Sequence, residues 1–92
     1  MRIDKFLKLA RVIKRRTLAQ EMIEIGAVRV NGKVVKASKE IQPGDVVEVA
    51  FPSRVVSFKV LPFEEKELKR GARPFDVLEE RKVNPDEKPW ND

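Results

Sequence analysis

At Gly26 the hydrophobic rhythm of the chain changes. Before it, apolar residues recur at helical spacing; after it, they alternate. A chain with that switch folds as helices followed by strands, an α+β order. Ile3, Phe6, Leu7 and Ala10 follow i, i+3, i+4, i+7 and predict a first helix over about 3–11. Asp4 lies in its first turn, where a negative charge suits the helix dipole. Val12-Ile13-Lys14-Arg15-Arg16 reads as a short basic linker. Thr17, with Gln20 three residues on, has the pattern of an N-cap and capping box, so a second helix is expected over about 18–25. Gly26 stops it as the C′ residue, because glycine adopts positive φ freely.

The strands follow from alternation and turn chemistry. Val28 and Val30 point one way and Arg29 the other. Asn31-Gly32 is the strongest short hairpin signal, a type I′ turn, and Lys33 to Ala37 returns. Pro43-Gly44-Asp45 turns again into Val46–Phe51, and Pro52-Ser53 links to a fourth strand from Arg54 to Leu61. Beyond Pro62, the charge-rich run Phe63 to Arg70 reads as a helical turn. Pro74 is placed for N1 of a last helix from Phe75 to about Lys82. Asn84 to Asp92, with two prolines and the lone Trp90, reads as a loose tail. The expected architecture is two helices packed on a small, mostly antiparallel sheet. Residues 1–62 form the main domain and 63–92 a short helical extension.

Composition narrows the chemistry. The 92 residues contain no His and no Cys. That excludes disulfides, thiolate metal sites, the commonest general base and the Ser-His and Cys-His nucleophile pairs. Glu21 and Glu24 sit three apart on the second helix, but a basic surround without His gives paired carboxylates no catalytic setting. No enzyme activity, metal or cofactor is therefore expected. No apolar run reaches a membrane span, and Met1 to Lys5 does not open a secretory signal, so a cytoplasmic protein without membrane contact is expected.

The net charge of +5 is unevenly spread. Residues 1–39 hold eleven basic residues against three acids, a balance of +8; residues 40–92 hold nine against twelve, a balance of −3. A concentrated positive module suits a polyanion. Three groups of cations are the candidates: the ladder Arg2, Lys5, Lys8 and Arg11; the cluster Lys14, Arg15 and Arg16 at a helix start; and Arg29, Lys33 and Lys36 around the hairpin tip. On one face they would bind phosphates with strong salt dependence. Of the few aromatic residues, Phe6, Phe51 and Phe58 fall in core register, so no stacking platform for single strands is evident. Structured RNA, read by shape and backbone, fits better.

The ordered series Arg2-Ile3-Asp4-Lys5-Phe6-Leu7, Lys14-Arg15-Arg16-Thr17-Leu18-Ala19, Gly26 to Lys36, and Ile41-Gln42-Pro43-Gly44-Asp45 resembles the RNA-binding domain named after ribosomal small-subunit protein four. The likeness runs over about residues 1–51 and implies the αL-type RNA-binding motif, with the two helices and the adjacent hairpin facing RNA. Enzymes that carry this domain add a catalytic domain, for which 92 residues leave no room. Among free-standing members, Arg2 to Lys8 and Ile13 to Ala19 look most like the ribosome-associated quality-control P family. That likeness implies a monomeric, ribosome-associated factor of obstructed large subunits. It would contact 23S rRNA and peptidyl-tRNA and support alanine tailing of the stalled nascent chain by its partner RqcH. Arg2 and Arg16 would be the leading RNA contacts. The related fifteen-kilodalton heat-shock family implies an alternative, recycling of free large subunits that carry nascent chain. A general structured-RNA binder is a further alternative.

Overall fold

The structure, a computed structural model, describes residues 1–84 and 86. Two helices come first, α1 (Ile3–Leu9) and α2 (Arg16–Glu24). Then follow β1 (Val28–Val30), β2 (Lys33–Val34), β3 (Val46–Phe51) and β4 (Arg54–Val60). A short α3 (Glu65–Lys69) and β5 (Phe75–Lys82) complete the order. The strands form one antiparallel sheet in the order β2-β1-β3-β4-β5. No described helix is long and apolar enough to cross a membrane.

The apolar stripe of α1 is fully buried at Ile3, Phe6, Leu7 and Ala10, against Ala19, Met22 and Ile23 of α2 and the inward valines of β1 and β3. Phe6 joins the layers: its ring lies 5.2 Å from Phe63 and 6.4 Å from Phe58, which in turn lies 4.8 Å from Phe75. The start of the chain is tied to the connector before β3, with Ile3 N–H donating to the Lys39 carbonyl and Ile41 N–H to that of Met1. That fixes where Arg2 leaves the backbone.

Helices α1 and α2 stop by the same device. At the end of α2, Gly26 N–H reaches the Ile23 carbonyl and Ala27 N–H that of Met22, with Gly26 at φ +79°. That is the Schellman pattern, as expected from the glycine. At the end of α1, Arg11 N–H reaches Lys8 and Val12 N–H reaches Leu7, with Arg11 at φ +62°. An arginine thus takes a left-handed position that glycine would hold without steric cost, of order 1 kcal/mol. The Asn31-Gly32 turn has positive φ at both residues, as type I′ requires. Asn31 also fastens the hairpin to the next turn. Its amide donates to Asp45, and its oxygen accepts from Val46 N–H.

Three local expectations are corrected. Phe75 to Lys82 is a strand, not a helix. Pairing with the open edge of β4, from Val60↔Phe75 to Arg54↔Lys82, outweighs the local helix signal at Pro74. Thr17 is not the cap of α2. The helix begins at Arg16, Arg15 holds the cap position without a side-chain bond, and Gln20 turns to another partner. The return strand is only Lys33–Val34, because Val35 and Ala37 pack against the core and the backbone turns at Lys36. The expected helical turn after Pro62 is α3, closed by a Glu64–Glu67 capping box. Trp90 lies outside the described residues.

Candidate nucleic-acid interface

Asp4 is where the cations of separate segments meet. It stands beside Leu7 on the flank of α1 that faces α2, and its side chain is fully enclosed. Among the described residues it is the one buried charged side chain. Such a carboxylate needs donors on its lone pairs. It receives the Arg2 guanidinium at 3.2 Å, Arg16 through Nε at 3.3 Å and Nη2 at 3.4 Å, Gln20 Nε2 at 2.9 Å and the Lys5 backbone N–H at 2.8 Å. Arg2 precedes α1 and Arg16 opens α2, so one buried anion joins the starts of both helices.

Burial by itself pushes the Asp4 carboxyl up. Hydrogen bonds from Gln20, Arg16 and Lys5 N–H, with the Arg16 charge, more than reverse this and hold it below the ordinary carboxylate value. The folded protein therefore binds this proton less readily than the unfolded chain. Its stabilising share is complete above about pH 4 and is lost as pH falls through the lowered folded value. Urea midpoints measured down the acid limb should drop more steeply for the native chain than for Asp4→Asn. Parallel acid limbs would show that Asp4 contributes no such term.

The other candidates separate into groups. Lys5 forms an ion pair with Glu65 of α3, which holds the Glu65 carboxyl below its usual value by hydrogen bond and charge. The Arg11 guanidinium lies beside Gly71, within van der Waals reach of the place a Cβ would take there. Lys5 and Arg11 thus lean on the extension rather than on the Asp4 cluster. Lys8 is exposed on the last turn of α1, and Lys14 and Arg15 are exposed in the α1–α2 connection. Arg29 is half-buried within the sheet, its backbone paired with Val34 and Glu48, so it is less outward than alternation implied. Lys33 is exposed at the hairpin. Lys36 lines an open groove of about 420 Å³ with Gln20, Ile23, Glu24 and Val34. Gln20 borders both this groove and the Asp4 cluster.

Sequence reasoning placed Asp4 as a helix-dipole residue and Gln20 as part of a cap, and so missed their joint role. The available signal was the spacing. On a helix, residue 4 falls about 60° from residue 7, within reach of the buried stripe, and an acid there needs partners.

The fold and the pair of arginines gathered on Asp4 define an S4-type α+β module with an added helix and strand. Residues 1–47 match the S4 domain family. The chain is 40% identical over 84 residues to the RQC P-site tRNA stabilizing factor of Bacillus subtilis, an alignment covering 90% of this chain and 98% of that protein. It is 49% identical over 51 residues to an uncharacterized RNA pseudouridine synthase of the same organism, but this covers only 17% of that enzyme. A trimeric structure of Vibrio cholerae Heat Shock Protein 15 superposes with a TM-score of 0.72 at 26% identity, over 84% of this chain and 80% of that one. The chain belongs to the S4-domain family and, within it, to the RQC P-site tRNA stabilizing factors. The relative matched along nearly its whole length is thus named as a factor, and the matched enzyme shares only a short segment.

Proposed function

We propose that this chain is a non-enzymatic RNA-binding factor of ribosome quality control. It acts on large ribosomal subunits that still hold peptidyl-tRNA, contacting 23S rRNA and the tRNA and supporting alanine tailing of the stalled chain beside RqcH. The observation that carries this reading is the gathering of Arg2 and Arg16 on one buried carboxylate inside the matched segment. Planar guanidiniums with free N–H groups suit phosphate oxygens, and a balance of +8 over residues 1–39 supplies the long-range attraction. The name of the Bacillus subtilis relative supports tRNA in the P site as the target. Lys36, Lys33, Lys14, Arg15, Lys8 and Arg29 would add phosphate contacts around the two arginines, while Lys5 and Arg11 would act from the flank that carries the extension.

The mechanism is positional. A factor that holds rRNA and tRNA together favours the tRNA state in which both contacts are made, by the difference in binding free energy between states. Such a protein stays in the cytoplasm with the ribosome. Sucrose-gradient fractionation of tagged protein from translation-stressed cells tests the reading. Sedimentation with large subunits that carry peptidyl-tRNA is the expected result; a profile confined to the top of the gradient would refute it.

A further inference from the structure

The feature that RNA binding does not by itself explain is an acid held between the two leading arginines. Asp4 repels phosphate, and simple electrostatics would remove it. Yet it is fully enclosed and takes five hydrogen bonds from four residues. The two arginines it holds are each nearly half exposed, at 46% and 44% of the side chain. A guanidinium has five N–H donors. Arg16 uses Nε and one Nη2 donor on Asp4, and Arg2 uses one Nη2 donor. Each side chain keeps donors that Asp4 does not take, and Arg2 Nη2 and Arg16 Nε both lie within 3.3 Å of the same Asp4 oxygen.

We propose that Asp4 is a positioning residue for RNA: from its enclosed site it fixes the Arg2 and Arg16 guanidiniums side by side, so that their outward donors meet the phosphate backbone already aligned. This rests on the reading of Arg2 and Arg16 as phosphate contacts. A free arginine gives up much of its rotamer freedom when it is immobilised on a ligand, and an anchored one has already given it up. Gln20 shares the task by holding the oxygen that both arginines use.

The sign of the effect separates positioning from charge. Asp4→Asn raises the net charge from +5 to +6, so Coulomb attraction alone predicts tighter binding. Positioning predicts the reverse. The test titrates the fluorescently labelled full chain with purified bacterial large ribosomal subunits, with circular dichroism confirming the fold of each variant. Asp4→Asn is expected to bind about tenfold more weakly, the scale of one charge-assisted hydrogen bond. Gln20→Ala, which leaves the charge unchanged, is expected to lose about threefold, a smaller share of the same scale. In an Arg2→Ala/Arg16→Ala background, measured at low salt where the other cations still bind, Asp4→Asn should cause no further loss, because it acts through those two side chains.

Unchanged or tighter binding by folded Asp4→Asn overturns the proposal. So does an equal further loss in the Arg2→Ala/Arg16→Ala background, which would make Asp4 a structural residue only. If Asp4→Asn does not fold, Gln20→Ala decides, and native affinity there overturns the proposal. Native affinity of the Arg2→Ala/Arg16→Ala protein is a different outcome, since it removes the reading of the two arginines as contacts and the proposal with it.

Discussion

Arg2→Ala/Arg16→Ala is expected to lose association with large ribosomal subunits by on the order of a hundredfold or more. Each arginine would contribute a charge-assisted contact of about 1.5–3 kcal/mol, and every 1.4 kcal/mol is a factor of ten. The salt dependence should change too. Two fewer neutralised phosphates lower the slope of log affinity against log salt by roughly two. Loss of the arginines also leaves Asp4 with only Gln20 and the Lys5 N–H as hydrogen-bond donors, which costs stability. Arg2→Gln/Arg16→Gln is therefore the companion variant. It keeps amide donors for Asp4 while removing the charge and the planar fork. Both proteins should melt as single transitions and both should leave the subunit fractions. Retained association by a folded Gln variant would place the RNA contact elsewhere on the molecule.

The largest effect on stability is expected from Phe6→Ala. Phe6 is fully buried and touches the rings of Phe58 and Phe63, so it links α1 to β4 and to the segment leading into α3. Removing a buried phenyl ring costs about 3–5 kcal/mol in transfer and cavity terms. That is most of what a domain of this size holds. The urea midpoint should fall far below that of the native chain, while Val77→Ala, at an exposed position, should change stability by less than about 1 kcal/mol. Equal losses from the two substitutions would mean that the three-ring contact does not organise the core.

What was legible in the sequence had local causes. Gly26 and Asn31-Gly32 need positive φ, and few other residues supply it cheaply, so the end of α2 and the hairpin stood out. The stripe Ile3, Phe6, Leu7, Ala10 is buried as its spacing implied. Strand β5 was not legible, because most of its side chains are exposed on both faces and it shows no alternation. Phe75 and Leu78, three apart after a proline, imitate a helix start; only the free edge of β4 and the Phe58 ring make the segment extended. The same holds for the site. Cations are conspicuous in sequence, but their sorting is tertiary: Arg2 and Arg16 turn to Asp4, Lys5 to Glu65 and Arg11 to Gly71. The expected Thr17 cap failed because Gln20, the residue meant to complete it, satisfies a buried carboxylate instead, where an unmade bond costs more than at an exposed helix start.

The register of β5 against β4 slips between Ser57 and Phe58, so that Leu78 is one residue too many for its partner strand. An outermost strand with a straight row of unmatched amides and carbonyls is an invitation to fibre growth. The slip bends that row, and Asp76, Glu79, Arg81 and Lys82 line it with charges that keep it hydrated, so a neighbouring copy finds neither a flat template nor an apolar one. Concentrated copies are thus kept from zipping these sheets together along this border, even though Val77 and Leu78 stand open to water there.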